Sequence, residues 1–187
     1  MSVGQADRAV SVNEGSERSG NLATVLSIAA AWVLSVGIDL LLHGGVLAPL
    51  YVEPSPFLLP AEIAFRRIPL GYLAFLVLTV GLYWLMRRLQ VRGLRAGFRL
   101  GAVAGAIVWG ALVLGLFSIS TASARLLTGW WIGQTAELAF AGAVLGAAAN
   151  RVPMKRIWGI VSVAVVVLVA VTVTLQSLGL APAMKIG

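Results

Sequence analysis

The sequence predicts an all-α, polytopic membrane protein, a bundle of five transmembrane helices with its N-terminus cytoplasmic and its C-terminus outside. Three observations carry this. Of the 187 residues, 59% are hydrophobic and only 11% charged, where soluble domains carry about 25% charge. Apolar runs recur at the roughly 20 residues that a helix needs to cross about 30 Å of hydrocarbon. The basic residues gather in alternate connections, which orients the spans.

Residues 1–21 are polar, rich in Ser and Gly and without an aromatic, a composition expected of a disordered cytoplasmic tail. No basic region runs straight into an apolar core there and no small-residue cleavage site follows, so the first span reads as a retained anchor and not a removed signal peptide. Five apolar runs follow, over 22–43, 68–86, 100–120, 130–149 and 157–178, in a single transmembrane domain of 22–180, with 181–187 as a short outer tail. Runs this continuous suit helices, which satisfy their backbone hydrogen bonds internally, and not barrel strands of about ten residues. After the first run, Gly44 and Gly45 are expected to end the helix. Pro60 is expected to open a short interfacial helix over 60–67, with Ile63 and Phe65 toward acyl chains and Glu62, Arg66 and Arg67 toward water. Trp130 and Trp131 mark the outer interface.

The net charge is +7, and its position explains it. With the N-terminus inside, ten of the fourteen basic residues face the cytoplasm: Arg8 and Arg18, the five arginines of the segment 87–99, and Arg151, Lys155 and Arg156. Arg66, Arg67, Arg125 and Lys185 face outward. This is the positive-inside pattern of a multi-pass protein of the cell inner membrane, so the basic excess is topological and does not indicate a nucleic-acid partner. Membrane lipids are the expected partners, with anionic headgroups at the basic 87–99 segment. The absence of cysteine excludes a disulfide framework, a thiolate metal site and a catalytic thiol.

Lipid supplies no hydrophobic drive between helices, so small residues must let backbones approach. "GAVAG" places Gly101 and Gly105 on one face of the third span, and "GAVLG" places Gly142 and Gly146 on one face of the fourth. These are expected helix-packing faces, within the bundle or toward further copies in a homo-oligomer or larger membrane complex.

The candidate site comes from ionisable groups inside the spans. Asp39 and His43, the only histidine, lie in the outer quarter of the first span; Gln134 and Glu137 lie at the same depth in the fourth. At about 100° per residue, Asp39 and His43 project within about 40° of each other, and Gln134 and Glu137 within about 60°. A carboxylate facing lipid costs about 2.5–3.5 kcal/mol at a helix centre. The arrangement that avoids this turns the two acids toward each other, forming an outward-facing polar pocket between the first and fourth spans. Arg125 and Gln176, in the outer part of the chain, are expected to join Asp39, His43, Gln134 and Glu137 in binding a small ligand. One imidazole and two carboxylates, from His43, Asp39 and Glu137, also form an N/O donor set suited to a divalent metal such as zinc, iron or manganese. The Asp39-x-x-x-His43 pair is similar to the pair that helps hold metal in the membrane-bound C subunit of methane and ammonia monooxygenases. That resemblance covers five residues, and the further histidine it implies is missing. No G-x-S-x-G elbow, HExxH, P-loop or G-x-G-x-x-G occurs, so nothing assigns a catalytic nucleophile or indicates an enzyme. The competing reading is an accessory or structural subunit, whose buried charges and GxxxG faces meet a partner's helices.

Overall fold

The computed structural model describes residues 3–53 and 55–182, and every regular element among them is helical. Helix α1 (Val3–Leu41) runs into a π-helical turn over Leu42–Val46 and then the short α2 (Ala48–Val52). Four long helices follow: α3 (Ala61–Arg88), α4 (Leu94–Ile119), α5 (Ala124–Ala149) and α6 (Met154–Ser177). Five segments are long and apolar enough to cross a membrane: Gly20–Val46, Glu62–Arg88, Leu94–Ile119, Ala124–Ala149 and Met154–Ser177. Each begins a few residues before its apolar run, because charged and polar residues at a helix start continue the backbone ladder without needing burial. Residues 183–187 of the expected outer tail, with Lys185, lie outside the described residues.

Three local expectations are met differently. The leader from Val3 onward is helical and continuous with the first span, where its composition suggested disorder. Gly44 and Gly45 do not end the first helix; they continue it as a π turn closed by Leu47 N–H donating to the Leu42 carbonyl at 2.6 Å. The expected helix over 60–67 is not separate: Pro60 precedes α3, and residues 61–67 are its first turns, the helix continuing through Pro69. Proline removes one backbone bond, to the carbonyl four residues earlier. That residue, Phe65, and Pro69 itself are both exposed, so the freed carbonyl is not trapped in the core.

Helix α5 is the most buried of the five long segments and α4 the least. α5 touches α4, α1, α3 and α6, whereas α4 rests almost entirely on α5. Two apolar clusters hold the centre. Ala31, Leu82, Met86, Leu138, Ala141 and Leu145 join α1, α3 and α5. Ala30, Ile157 and Val161 join α1 to α6. The seam between α4 and α5 is backbone against backbone. A Cβ on Gly101 would strike the Leu138 carbonyl, one on Gly142 the Gly97 carbonyl and one on Gly146 the Gly93 carbonyl; one on Gly105 would lie 2.9 Å from the Thr135 Cα. Gly93 N–H also donates to the Gly146 carbonyl at 2.8 Å. Gly97 thus belongs to the same face as the two GxxxG pairs, one turn earlier.

Candidate metal centre

α1 and α5 run antiparallel, and glycine sets how closely they meet near the α2 end of the bundle. A Cβ on Gly133 would lie 3.1 Å from Leu42 Cδ1, and one on Gly129 2.9 Å from Leu47 Cδ2. On the other flank of α1, a Cβ on Gly37 would meet Val165 Cγ2 of α6 at 3.0 Å, and one on Gly44 would meet Thr172 Cγ2 at 3.3 Å. The end of α1 is therefore clamped between α5 and α6, and its polar stripe has a fixed direction.

That direction brings Asp39, His43 and Glu137 together. Each offers one ligand atom, and the three atoms lie within 4.8 Å of one another. His43 Nδ1 lies 2.7 Å from Asp39 Oδ1 and 3.2 Å from the Asp39 carbonyl oxygen. When Nδ1–H donates to that carboxylate, His43 Nε2 keeps its lone pair and Asp39 keeps its second oxygen, so each retains an atom able to bind a cation. Gln134 Nε2 donates to Glu137 Oε1 at 3.1 Å. The other oxygen of each, Gln134 Oε1 and Glu137 Oε2, is buried without a hydrogen-bond partner. Glu137 is only 2% exposed. A buried carboxyl oxygen left unsatisfied costs several kcal/mol unless a proton, water or cation meets it.

α2 and the loop behind it close over this end. Trp130 Nε1–H donates to the Tyr51 hydroxyl. The Tyr51 ring lies 5.5 Å from the His43 ring, and Phe57 packs 6.0 Å from Trp130 between ring centroids. Burial pushes the Tyr51 phenol well above its ordinary value; the Trp130 hydrogen bond opposes this, and the Asp39 and Glu137 carboxyls reinforce it. Tyr51 is thus a neutral hydroxyl at physiological pH. Its partner Trp130 reads in the sequence only as an interface marker. The signal for Tyr51 is its place eight residues past His43, within reach of a chain that doubles back through α2.

The remaining expected residues lie elsewhere. Arg125 does not join the cluster: its guanidinium is 3.9 Å from Glu53 and both side chains are largely exposed. It sits in the first turn of α5, twelve residues before Glu137, which is about 18 Å along a helix axis. Gln176 donates from Nε2 to the Gly44 carbonyl at 2.8 Å, so it satisfies the π turn that carries His43. Ser35 and Thr172 are buried but bond back to the carbonyls of Ala31 and Leu168 in their own helices. Replacing Gln176 by Ala leaves the Gly44 carbonyl without this donor. The expected loss is about 1 kcal/mol, read as a fall of a few degrees in the melting midpoint of detergent-solubilised protein.

The fold and this cluster define a class: an all-helical bundle with five helices long and apolar enough to span a membrane, carrying an interhelical carboxylate–imidazole group. Compared with models of known protein families, with curated proteins and with solved structures, the chain finds no match.

Proposed function

We propose that this chain is a multi-pass inner-membrane protein that binds one divalent transition-metal ion between its first and fourth spans, through Asp39, His43 and Glu137, at the extracytoplasmic end. The observation that carries the reading is the approach of three ligand atoms to within 4.8 Å, one of them from a buried carboxyl with an unpartnered oxygen. Ligands at about 2.1 Å around a tetrahedral ion stand about 3.4 Å apart, so modest side-chain rotation closes the set. One imidazole with two carboxylates suits zinc, iron or manganese. Gln134 Oε1, buried and free to accept, can hold a metal-bound water.

The orientation is supported by the ends of the bundle. The basic segment 87–99 and Arg151, Lys155 and Arg156 lie at the end opposite the cluster, and that end belongs in the cytoplasm by the positive-inside rule. Its lipid-facing exterior is the large set of exposed apolar side chains on α3, α4 and α6.

The test is native mass spectrometry with elemental analysis of gently extracted protein, followed by titration of the metal-stripped form with Zn²⁺ and Mn²⁺. One equivalent is expected. Asp39→Asn and His43→Ala should each weaken binding by about tenfold or more, the scale on which even outer-sphere partners act. Wild-type protein that takes up neither ion, or variants that bind as tightly as wild type, would end the proposal.

A further inference from the structure

The opposite end of the bundle holds an open cavity of about 550 Å³ lined by α1, α3, α5, the first residue of α6 and the two connections that follow α3 and α5. Its floor is apolar, formed among others by Met86, Leu145, Ala148 and Met154. Its rim carries Arg87, Arg92 and Arg151, with Gln90, Tyr83 and Thr24 between them. Among the described residues no acidic side chain lines it. Asp39, Glu53, Glu62 and Glu137 all stand at the other end of the bundle, and among the described residues no carboxylate pairs with any of the three arginines.

The rim is organised. Arg87 Nη1 donates to the Tyr83 hydroxyl at 3.1 Å, and that hydroxyl lies 3.1 Å from Thr24 Oγ1. Gln90 Nε2 donates to the Arg87 carbonyl at 2.8 Å, and its Oε1 accepts from Arg92 Nη2 at 3.4 Å. Gln90 and Arg151 are the two non-glycine residues with positive φ among the described residues, at 53° and 60°. Each follows a helix C-terminus at the position where glycine fits without strain. At both places the chain carries instead a side chain that lines the cavity. Two helix ends and two helix starts meet here, so their dipoles largely cancel and the guanidiniums dominate the local field.

We propose that this cavity binds an anionic phospholipid, with the headgroup phosphate on Arg87, Arg92 and Arg151 and the upper acyl chain on the Met86–Leu145 floor. Guanidiniums that meet no carboxylate among the described residues offer the planar forks that match phosphate oxygens. The apolar floor gives a tethered chain a place that a free phosphate ion cannot use, which selects the lipid. Cytoplasmic-side basic pockets between transmembrane helices recognise anionic headgroups on this principle. The volume lies within the usual range of about 300–1,000 Å³ for ligand pockets and suits a headgroup and the first part of a chain.

The experiment is native mass spectrometry and lipid titration of the full chain in detergent, with phosphatidylglycerol, phosphatidylcholine and inorganic phosphate as separate probes. Phosphatidylglycerol is expected to bind at least about tenfold more tightly than phosphatidylcholine. Each arginine replaced by glutamine should weaken it by about fivefold, the effect of one basic residue near an anionic surface. R87Q/R92Q/R151Q should lose the preference, while Arg125→Gln at the other end should not change it. The single variants Arg92→Gln and Arg151→Gln, both at exposed positions, keep the test decisive where the triple variant does not fold. Equal binding of the two lipids, unchanged affinity in the arginine variants, or displacement of the lipid by millimolar phosphate would overturn the proposal.

Discussion

Gly101→Leu is expected to unfold most of the protein, with a loss of about 3 kcal/mol or more, because the helix backbones themselves must separate. A Cβ at this position would strike the Leu138 carbonyl and lie 2.9 Å from its carbon. No rotamer change relieves a clash with main chain. The same holds for Gly97 against Gly142, so even alanine at either position forces α4 off α5. α4 has little other support, since it rests almost entirely on α5. Trp131 offers a probe on the seam, donating from Nε1 to the Ala106 carbonyl at 3.0 Å. SDS titration followed by tryptophan emission should show the Gly101→Leu transition shifted to much lower SDS, or absent. Gly115→Leu is the control. Nothing lies within 4 Å of a Cβ there, and its transition should stay within about 0.5 kcal/mol of wild type. A normal transition for Gly101→Leu would mean that the close approach of α4 and α5 does not hold the bundle.

The same seam shows what a linear reading can reach. Membrane solvent forces long apolar runs, so the five spans were legible from hydropathy alone, and "GAVAG" and "GAVLG" pointed to faces of the third and fourth spans. The seven-residue and four-residue glycine spacings that seat α1 were not. Gly37 and Gly44 face α6, and Gly129 and Gly133 of "GWWIG" face α1; in the sequence Gly44 reads as a helix stop, tryptophans stand between Gly129 and Gly133, and Gly37 stands alone. Proline usually breaks a helix, but Pro69, at an exposed place near the start of α3, does not. For the site, a common depth and an angular spacing sufficed to nominate Asp39, His43, Gln134 and Glu137. Which helices face each other is a tertiary fact, and so Arg125 was drawn into the group although Glu53 is its neighbour. Tyr51 and the supporting bond from Gln176 to Gly44 depend on chain reversals and on a π turn that no periodicity announces.

Glu137→Gln should separate the stability of the cluster from its capacity to hold a cation, and the two are expected to move in opposite directions. In metal-free protein, Glu137 and Asp39 hold ligand atoms within 4.8 Å of each other, and Glu137 Oε2 has no donor. An amide at 137 keeps an oxygen to accept from Gln134 and presents an N–H toward the Asp39 carboxylate, turning an unsatisfied contact into a hydrogen bond. A buried polar atom left without a partner costs about 1–3 kcal/mol, so the metal-free variant should melt several degrees above metal-free wild type. Metal reverses the order. An ion at about 1,000 times its dissociation constant stabilises the form that binds it by about 4 kcal/mol, a gain open to wild type and closed to a variant with one of three ligands removed. Thermal melts of both proteins with and without Zn²⁺ therefore form a square in which only wild type responds to metal. A metal-free variant that melts below wild type would assign Glu137 to holding α1 against α5 unaided. An equal metal response in the two would remove it from the coordination set, leaving a pair, Asp39 and His43, too few to retain an ion against water at a helix end that is partly open to solvent.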